Sequence, residues 1–510
     1  MSLGSVDSVG ESAVLAPVLM VQGTASSVGK SLITAGLCRL FARQGLRVAP
    51  FKAQNMSNNA AVCPSGGEIG RAQALQALAC GLEPNTRMNP ILIKPEAEAR
   101  GQLVVLGASR GSFSARESLA QREELWPTVA EALDSLRAEH ELVIAEGAGS
   151  PAELNLRARE IVNMRVARHA KAAVLLVGDI DRGGIFASLL GTLALLEPAE
   201  RALVRALVVN RFRGDPSLFQ DGVRELEQRA ALPVLGVVPH LFDHGLPDED
   251  AAAISLVPRD APVVEVACVR LPRVANFDDL LPLSREPGVT VRFVDRPEEL
   301  RAPDLVVLPG TKATLADLEW LRQRGLAARI KTLAARGTPL LGICGGFQML
   351  GERISDPLGL ESDSLREMIA LRLLAVETTL EPHKQLSLVG GRVEAHDDGF
   401  WAALCFRPVQ GYEIHAGRTR GSALPFLQLD DGRLDGACSA NVAGTYLHGF
   451  FDRPQTRHAL VRALAARNGF AWAPDASGAD TLLDRLDRLA DTLEASLNLT
   501  MLNSLTGLSR

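Results

Sequence analysis

No Cys-x-x-Cys pair occurs in these 510 residues, and the seven cysteines (Cys38, Cys63, Cys80, Cys268, Cys344, Cys405 and Cys438) are scattered and odd in number. Neither a disulfide framework nor a zinc site fits, so a functional cysteine must be argued from its own surroundings. No uninterrupted apolar run approaches the ~20 residues that span a bilayer. The opening MSLGSVDSVGESAVLAP lacks the basic start of a signal peptide, so a cytoplasmic location is expected. Cationic excess is missing too: the net charge is −6, which gives no reason to expect nucleic acid or an anionic membrane as partner. Lysine is scarce, seven residues against 47 arginines. Four of the seven (Lys30, Lys52, Lys94, Lys312) nevertheless fall in Gly-, Pro- or Asn-rich, motif-like segments, and lysine is not interchangeable with arginine around phosphates and reactive groups.

A chain of this length, 47% hydrophobic, can bury at least two cores. From residue 17, short β-branched runs (VLMVQG, LRVAPF, ELVIAEG, AAVLLVGD, ALVVNRF, VLGVVPH) alternate with helical patterns. Several runs are apolar throughout, as parallel strands covered on both faces must be. The expected fold is α/β: two doubly wound domains, with ligands beyond the strand C-termini. Residues 1–16 read as a flexible N-terminus and 17–242 as the first domain. Residues 243–262, acidic and Pro-punctuated, read as a linker. A second alternation (PVVEVACVRL, VTVRFVD, DLVVLPG, TPLLGIC) opens a domain over 263–470. After about residue 375 shorter strand-like pieces are expected, ending at VAGTYLHGFFD. The tail, 471–510, carries apolar residues at helical spacing and is expected to pack on the second domain.

GTASSVGKS, Gly23 to Ser31, joins an apolar strand to a helix. Its small residues let backbone N–H groups close on phosphate oxygens. Gly23, Thr24, Ser27, Val28 and Gly29 are the candidate cradle, with Lys30 reaching terminal phosphates and Ser31 a metal ion. The first position of the strict phosphate-loop pattern is Thr24 rather than glycine. A second strand ends on Glu146, a carboxylate suited to Mg²⁺ at the sheet edge. Another ends in Asp179, Asp181 and Arg182. KAQNMSNN, residues 52–59, packs Lys52, Gln54, Asn55, Asn58 and Asn59 into one loop, the composition a polar, hydrogen-bonding substrate requires.

TPLLGICGGFQMLG holds Gly342-Ile-Cys344-Gly-Gly346, a nucleophile elbow with cysteine in place of serine. Such a turn pushes the thiol into the open at a helix N-terminus, where thiolate is favoured. The Gly345 N–H would face an oxyanion, with a second donor from Gly310 in VVLPGTK. The candidate base is His448 in GTYLHGFFD, with His415 in GYEIHAG as second candidate, on the same strand face as Glu413.

On these motifs the chain resembles glutamine-dependent synthetases of the cobyric acid synthase family over nearly its whole length. The first half is similar to dethiobiotin synthetase in GTASSVGKS, GGEIGRAQ, MNPILIKP and AEGAGS. The second is similar to class I glutamine amidotransferases, with Cys344 as nucleophile and His448 as base. FKAQNMSNN, GDIDRGGIFASL, VNRFRGD and GYEIHAG resemble cobyric acid synthase in particular. The resemblance implies ATP and Mg²⁺, with Ser31, Glu68 and Glu146 as metal set. It implies Asn210 at the nucleotide, and Lys30, Lys52 and Lys94 on phosphates and substrate carboxylate. It further implies adenosylcobyrinic acid a,c-diamide and L-glutamine as substrates, the former amidated at side chains b, d, e and g. Amidation of another polycarboxylate, such as the a,c positions of cobyrinic acid, is the alternative, and a nucleotide- and glutamine-sensing regulator is a third. One position departs from most class I amidotransferases. The residue two after the His is Phe450 rather than an acid, the nearest acid is Asp452, and Glu413 is the candidate to orient the imidazole.

Overall fold

The computed structural model describes residues 15–97, 100–241, 244–247, 262–362, 365–394, 399–474 and 480–507. Most of the expected linker, and nearly all of the expected N-terminal segment, lie outside them.

Six parallel strands form the first sheet in the order Val234–Pro239, Val204–Phe212, Ala173–Asp179, Val18–Gly23, Leu142–Glu146, Val48–Phe51. The all-apolar strands are buried on both faces, as their composition requires. The chain lays strands to one side of Val18–Gly23 and then to the other, so the crevice of this sheet opens beyond Gly23. There the phosphate loop leads into the helix Lys30–Arg43.

The second sheet runs Val289–Val294, Val264–Val269, Leu305–Leu308, Leu340–Ile343, Val442–Thr445, Ala437–Ser439, parallel except for its last hairpin. Beside it stands a long antiparallel ribbon of Val376–Val393 and Pro408–Gly421. These are the longest strands among the described residues, where sequence reading expected short pieces. Pro382 and the Gly390–Gly391 pair break the pattern locally, but the ribbon continues across a register shift between Leu380 and Gln385.

The tail also departs from expectation. Its helix Leu482–Ser496 packs on Lys30–Arg43 of the first domain, not on the second. Gly36 leaves a slot there; a Cβ on it would lie 2.4 Å from Leu493 Cδ1. Arg39 clamps Asp487 beside the slot, and Asn498 N–H reaches Leu235 O at 2.8 Å. Amphipathic spacing says that a helix has a buried face, not which surface will bury it.

The two domains meet on an apolar seam, where Ala60, Val62, Leu92 and Val104 of the first pack on Tyr412 and Ile414 of the second. No helix among the described residues is long and apolar enough to cross a membrane.

Candidate active site

The buried strand Leu340–Ile343 turns at Cys344 into the helix Gly345–Leu350. Cys344 holds φ 52° and ψ −111°, a strained conformation for a residue with a Cβ, as an elbow demands. A Cβ on Gly346 would lie 2.0 Å from Leu308 O, so only glycine permits the turn to pack that closely. The thiol is not in the open: Cys344 is buried, its Sγ 3.5 Å from Ile414 O. The ribbon covers it, which the local motif had no means of showing.

His448 ends the short strand Leu447–His448 and stacks on Tyr412 with centroids 5.2 Å apart. Its Nδ1 lies 2.7 Å from Asp279 Oδ2, and Asp279 Oδ1 also accepts from Gly449 N–H at 2.9 Å. Asp279, on the turn Phe277–Leu280, therefore takes the place expected for Glu413. Glu413 instead accepts from Ser387 and Arg433. Phe450 is fully buried against Phe426 and Phe451, so the usual acidic position belongs here to the core. Burial pulls the His448 pKa down, but Asp279 and Cys344 outweigh it and push the imidazole up to about 10. Asn276 Nδ2 approaches Nε2 and opposes that protonation, but at 3.3 Å it is the weaker influence. His415 differs. Its Nδ1 donates to Gly417 O, its ring stacks on Tyr446, and burial pushes it down to about 4, so it is neutral.

Gly310 lies against His448, and Gly345 directly follows Cys344 in the elbow. A Cβ on Gly310 would lie 2.9 Å from His448 Cε1, and one on Gly345 2.6 Å from Thr311 Cγ2. The loop 309–311 thus lies against the elbow, and the Gly345 N–H belongs to the first helical turn, whose donors have no intrahelical acceptor.

In the first domain, Ser27 (φ 56°) and Gly29 (φ 96°) both adopt left-handed conformations that curl the loop above Gly23. Asn210 Nδ2 props it by donating to Val28 O at 2.8 Å, and would lie 2.2 Å from a Cβ on Gly29. The Thr24 N–H bonds Val177 O at 2.9 Å, which ties that residue to the sheet. Lys30 Nζ folds over the loop onto Ala25 O and Gly149 O. Ser31 Oγ donates to Glu146 Oε1 at 2.8 Å, and Lys52 Nζ donates to the same oxygen at 2.8 Å. Of the expected metal set, Ser31 and Glu146 are in contact, whereas Glu68 pairs with Lys94 and Lys384. A hydroxyl and a carboxylate meeting below a phosphate loop fit a hard divalent cation. Glu68 would have to leave two lysines to join them.

The amide-rich segment is buried at the domain junction. Asn55 donates to Gln73, Gln54 is buried in the strand Gln54–Met56, and the Asn58 Oδ1 is buried without a hydrogen-bond partner. Asn59 Oδ1 accepts from Asn276 N–H at 2.8 Å, and Asn276 Oδ1 accepts from Ala60 N–H at 2.9 Å. Two positions on, Arg71 Nε binds Asp278 Oδ2 at 2.7 Å. The turn that orients His448 is therefore also bonded to the first domain. Asp179 and Asp181, by contrast, pair with Arg211 and Arg213.

Sequence reasoning missed Asp279 and Lys384. The signal for Asp279 was present, as paired acids in VANFDDLLPL within an otherwise apolar stretch; Lys384 carried no motif.

Residues 19–246 match the CobQ/CobB/MinD/ParA nucleotide binding domain, and residues 265–456 the CobB/CobQ-like glutamine amidotransferase domain. A cobyric acid synthase of Chloroflexus aggregans is 51% identical over 503 residues, covering 96% of this chain and 99% of its own. The chain belongs to the cobyric acid synthase family. Cobyric acid synthases of Sorangium cellulosum (48% identical, 96% of this chain and 99% of theirs) and Moorella thermoacetica (46%, 97% and 98%) align as fully. As a member of the cobyric acid synthase family the chain is a glutamine-amidotransferase ligase with a nucleotide-binding domain.

Proposed function

We propose that this chain amidates adenosylcobyrinic acid a,c-diamide at side chains b, d, e and g, using ATP, Mg²⁺ and L-glutamine in the cytoplasm. The observation that carries the reading is the pairing of a Cys344–His448–Asp279 site with a phosphate loop in one chain, joined through Asn276 and Asp278.

A carboxylate resists amines, so the loop serves to turn it into an acyl phosphate. Lys30 would neutralise the transferring phosphoryl group and Ser31 with Glu146 would hold Mg²⁺, whose charge offsets that of the phosphates. Lys52, Gln54, Asn55, Asn58 and Lys94 would bind the corrinoid's amides and carboxylates. In the second site Cys344 Sγ attacks the glutamine side-chain amide, and the Gly310 and Gly345 N–H groups receive the oxyanion. The His448 imidazolium gives its proton to the leaving nitrogen, releasing ammonia and a glutamyl thioester that water then hydrolyses. Ammonia crossing a closed junction arrives unprotonated and attacks the acyl phosphate, expelling phosphate.

The test is product mass after incubation with adenosylcobyrinic acid a,c-diamide, Mg-ATP and amide-¹⁵N-glutamine. Stepwise incorporation ending at four labelled amides is expected. Incorporation into cobyrinic acid alone would transfer the activity to the a,c positions. Glutamine binding without any hydrolysis would leave the regulator.

A further inference from the structure

Five of the chain's seven lysines gather near the two sites, and three of them converge where the domains meet. Lys94 comes from the first domain, on the strand Ile91–Ala97. Lys384 comes from the long ribbon of the second, and Lys312 from the loop that borders the elbow. Glu68 Oε1 accepts from Lys384 at 2.8 Å, while Glu68 Oε2 accepts from Lys94. Lys384 also donates to Gln102 Oε1. Lys312 Nζ lies 3.0 Å from Glu96 Oε1. The side chains are enclosed: Glu68 is 1% exposed, Lys94 5%, Glu96 6%, Lys384 14% and Lys312 15%.

Two ammonium groups, one from each domain, thus share the single carboxylate of Glu68, while Lys312 pairs with Glu96; Arg273, bonded to the Glu96 backbone O, is paired with Asp317. A buried excess of positive charge is costly unless an anion completes it. Neither domain builds the cluster alone.

We propose that Lys384 and Lys312, carried by the glutaminase domain, complete the synthetase domain's binding site for the substrate carboxylate held by Lys94. The inference rests on the amidation reading above and deepens it. The carboxylate undergoing activation is gripped from both domains, at the junction ammonia must cross. Undocking would then disassemble the carboxylate site itself, so that phosphorylation proceeds only when the source of nitrogen is in place.

Ammonia-dependent amidation, with saturating ammonium chloride and no glutamine, isolates the effect because it does not need Cys344. Full-length Lys384→Met is expected to raise KM for adenosylcobyrinic acid a,c-diamide about tenfold or more, with KM for ATP changing far less. Lys384→Arg should recover part of the loss. An unchanged corrinoid KM in folded Lys384→Met would overturn the proposal and leave Lys384 as a docking contact. A rise in KM for ATP alone would assign the cluster to the nucleotide's phosphates and overturn it equally. Should Lys384→Met not fold, Lys312→Met is read by the same two constants and judged the same way. Wild-type protein assayed in parallel separates the two readings. If it forms no amide, the functional proposal fails; if it turns over while the variants keep its corrinoid KM, only the lysine site fails.

Discussion

Asp279 Oδ2 lies 2.7 Å from His448 Nδ1 across 169 positions of sequence, and this contact gives the glutaminase site its third member. Since a carboxylate only accepts, Nδ1 carries the proton, and Nε2 lies on the far side of the ring, 3.3 Å from Asn276 Nδ2. Asp279→Asn removes the charge that holds the imidazolium. Glutaminase kcat should fall on the order of 10²–10⁴-fold. The pH profile gives the sign. His448 is raised to about 10, so its ion-pair contribution to stability is complete below its unfolded value and lost as pH rises through about 10, where the folded imidazole also gives up its positive charge. In Asp279→Asn the alkaline limb of kcat/KM for glutamine should move to lower pH. A limb that stays in place would mean that Asp279 is only structural.

The two sites should separate by substitution. Cys344→Ala is expected to abolish glutamine-dependent amidation while ammonia-dependent amidation persists, since the thiol supplies only nitrogen. Lys30→Ala should abolish both, because no acyl phosphate forms without it. Rates of amide formation with glutamine and with ammonium chloride decide the matter. Loss of the ammonia reaction in well-folded Cys344→Ala would break the proposed division of labour.

Glu68 offers a thermodynamic test. Burial raises its carboxyl, but Lys94 and Lys384 more than compensate and hold it at about 2. Its contribution to stability is therefore present above the unfolded carboxyl value and lost as pH falls through about 2. Glu68→Gln leaves two lysines without their counter-ion and should cost roughly 3–5 kcal/mol, read as a lower Tm. The loss should be the same with and without Mg²⁺. A loss seen only with Mg²⁺ would make Glu68 a metal ligand after all.

Gly36→Ala probes the tail. Its Cβ would meet Leu493 Cδ1 at 2.4 Å and Leu489 Cγ at 3.0 Å. Overpacking of this kind costs about 1–3 kcal/mol, measurable by urea unfolding. Unchanged stability would show that the helix Leu482–Ser496 does not rest on this slot in solution.

Much of the first domain's local chemistry was legible because its motif is contiguous. Gly23 to Ser31 encode strand, loop and helix N-terminus within nine residues, and the left-handed turn at Gly29 follows from the glycine itself. The elbow was legible for the same reason. Glu413 was misjudged because strand periodicity places it on one face with His415 but does not say what covers that face, and Arg433 and Ser387 do.

The sequence by itself determined the two parallel sheets, the phosphate loop, the strained cysteine and the candidate histidine, since each depends on residues a few positions apart. Only the tertiary structure decided that Asp279 orients His448, that Lys384 reaches Glu68 from the other domain, and that the tail crosses back to Gly36. Those contacts join segments separated by 169, 316 and more than 450 residues. They arise where independently formed surfaces exclude water together, and no local periodicity records which surfaces those will be.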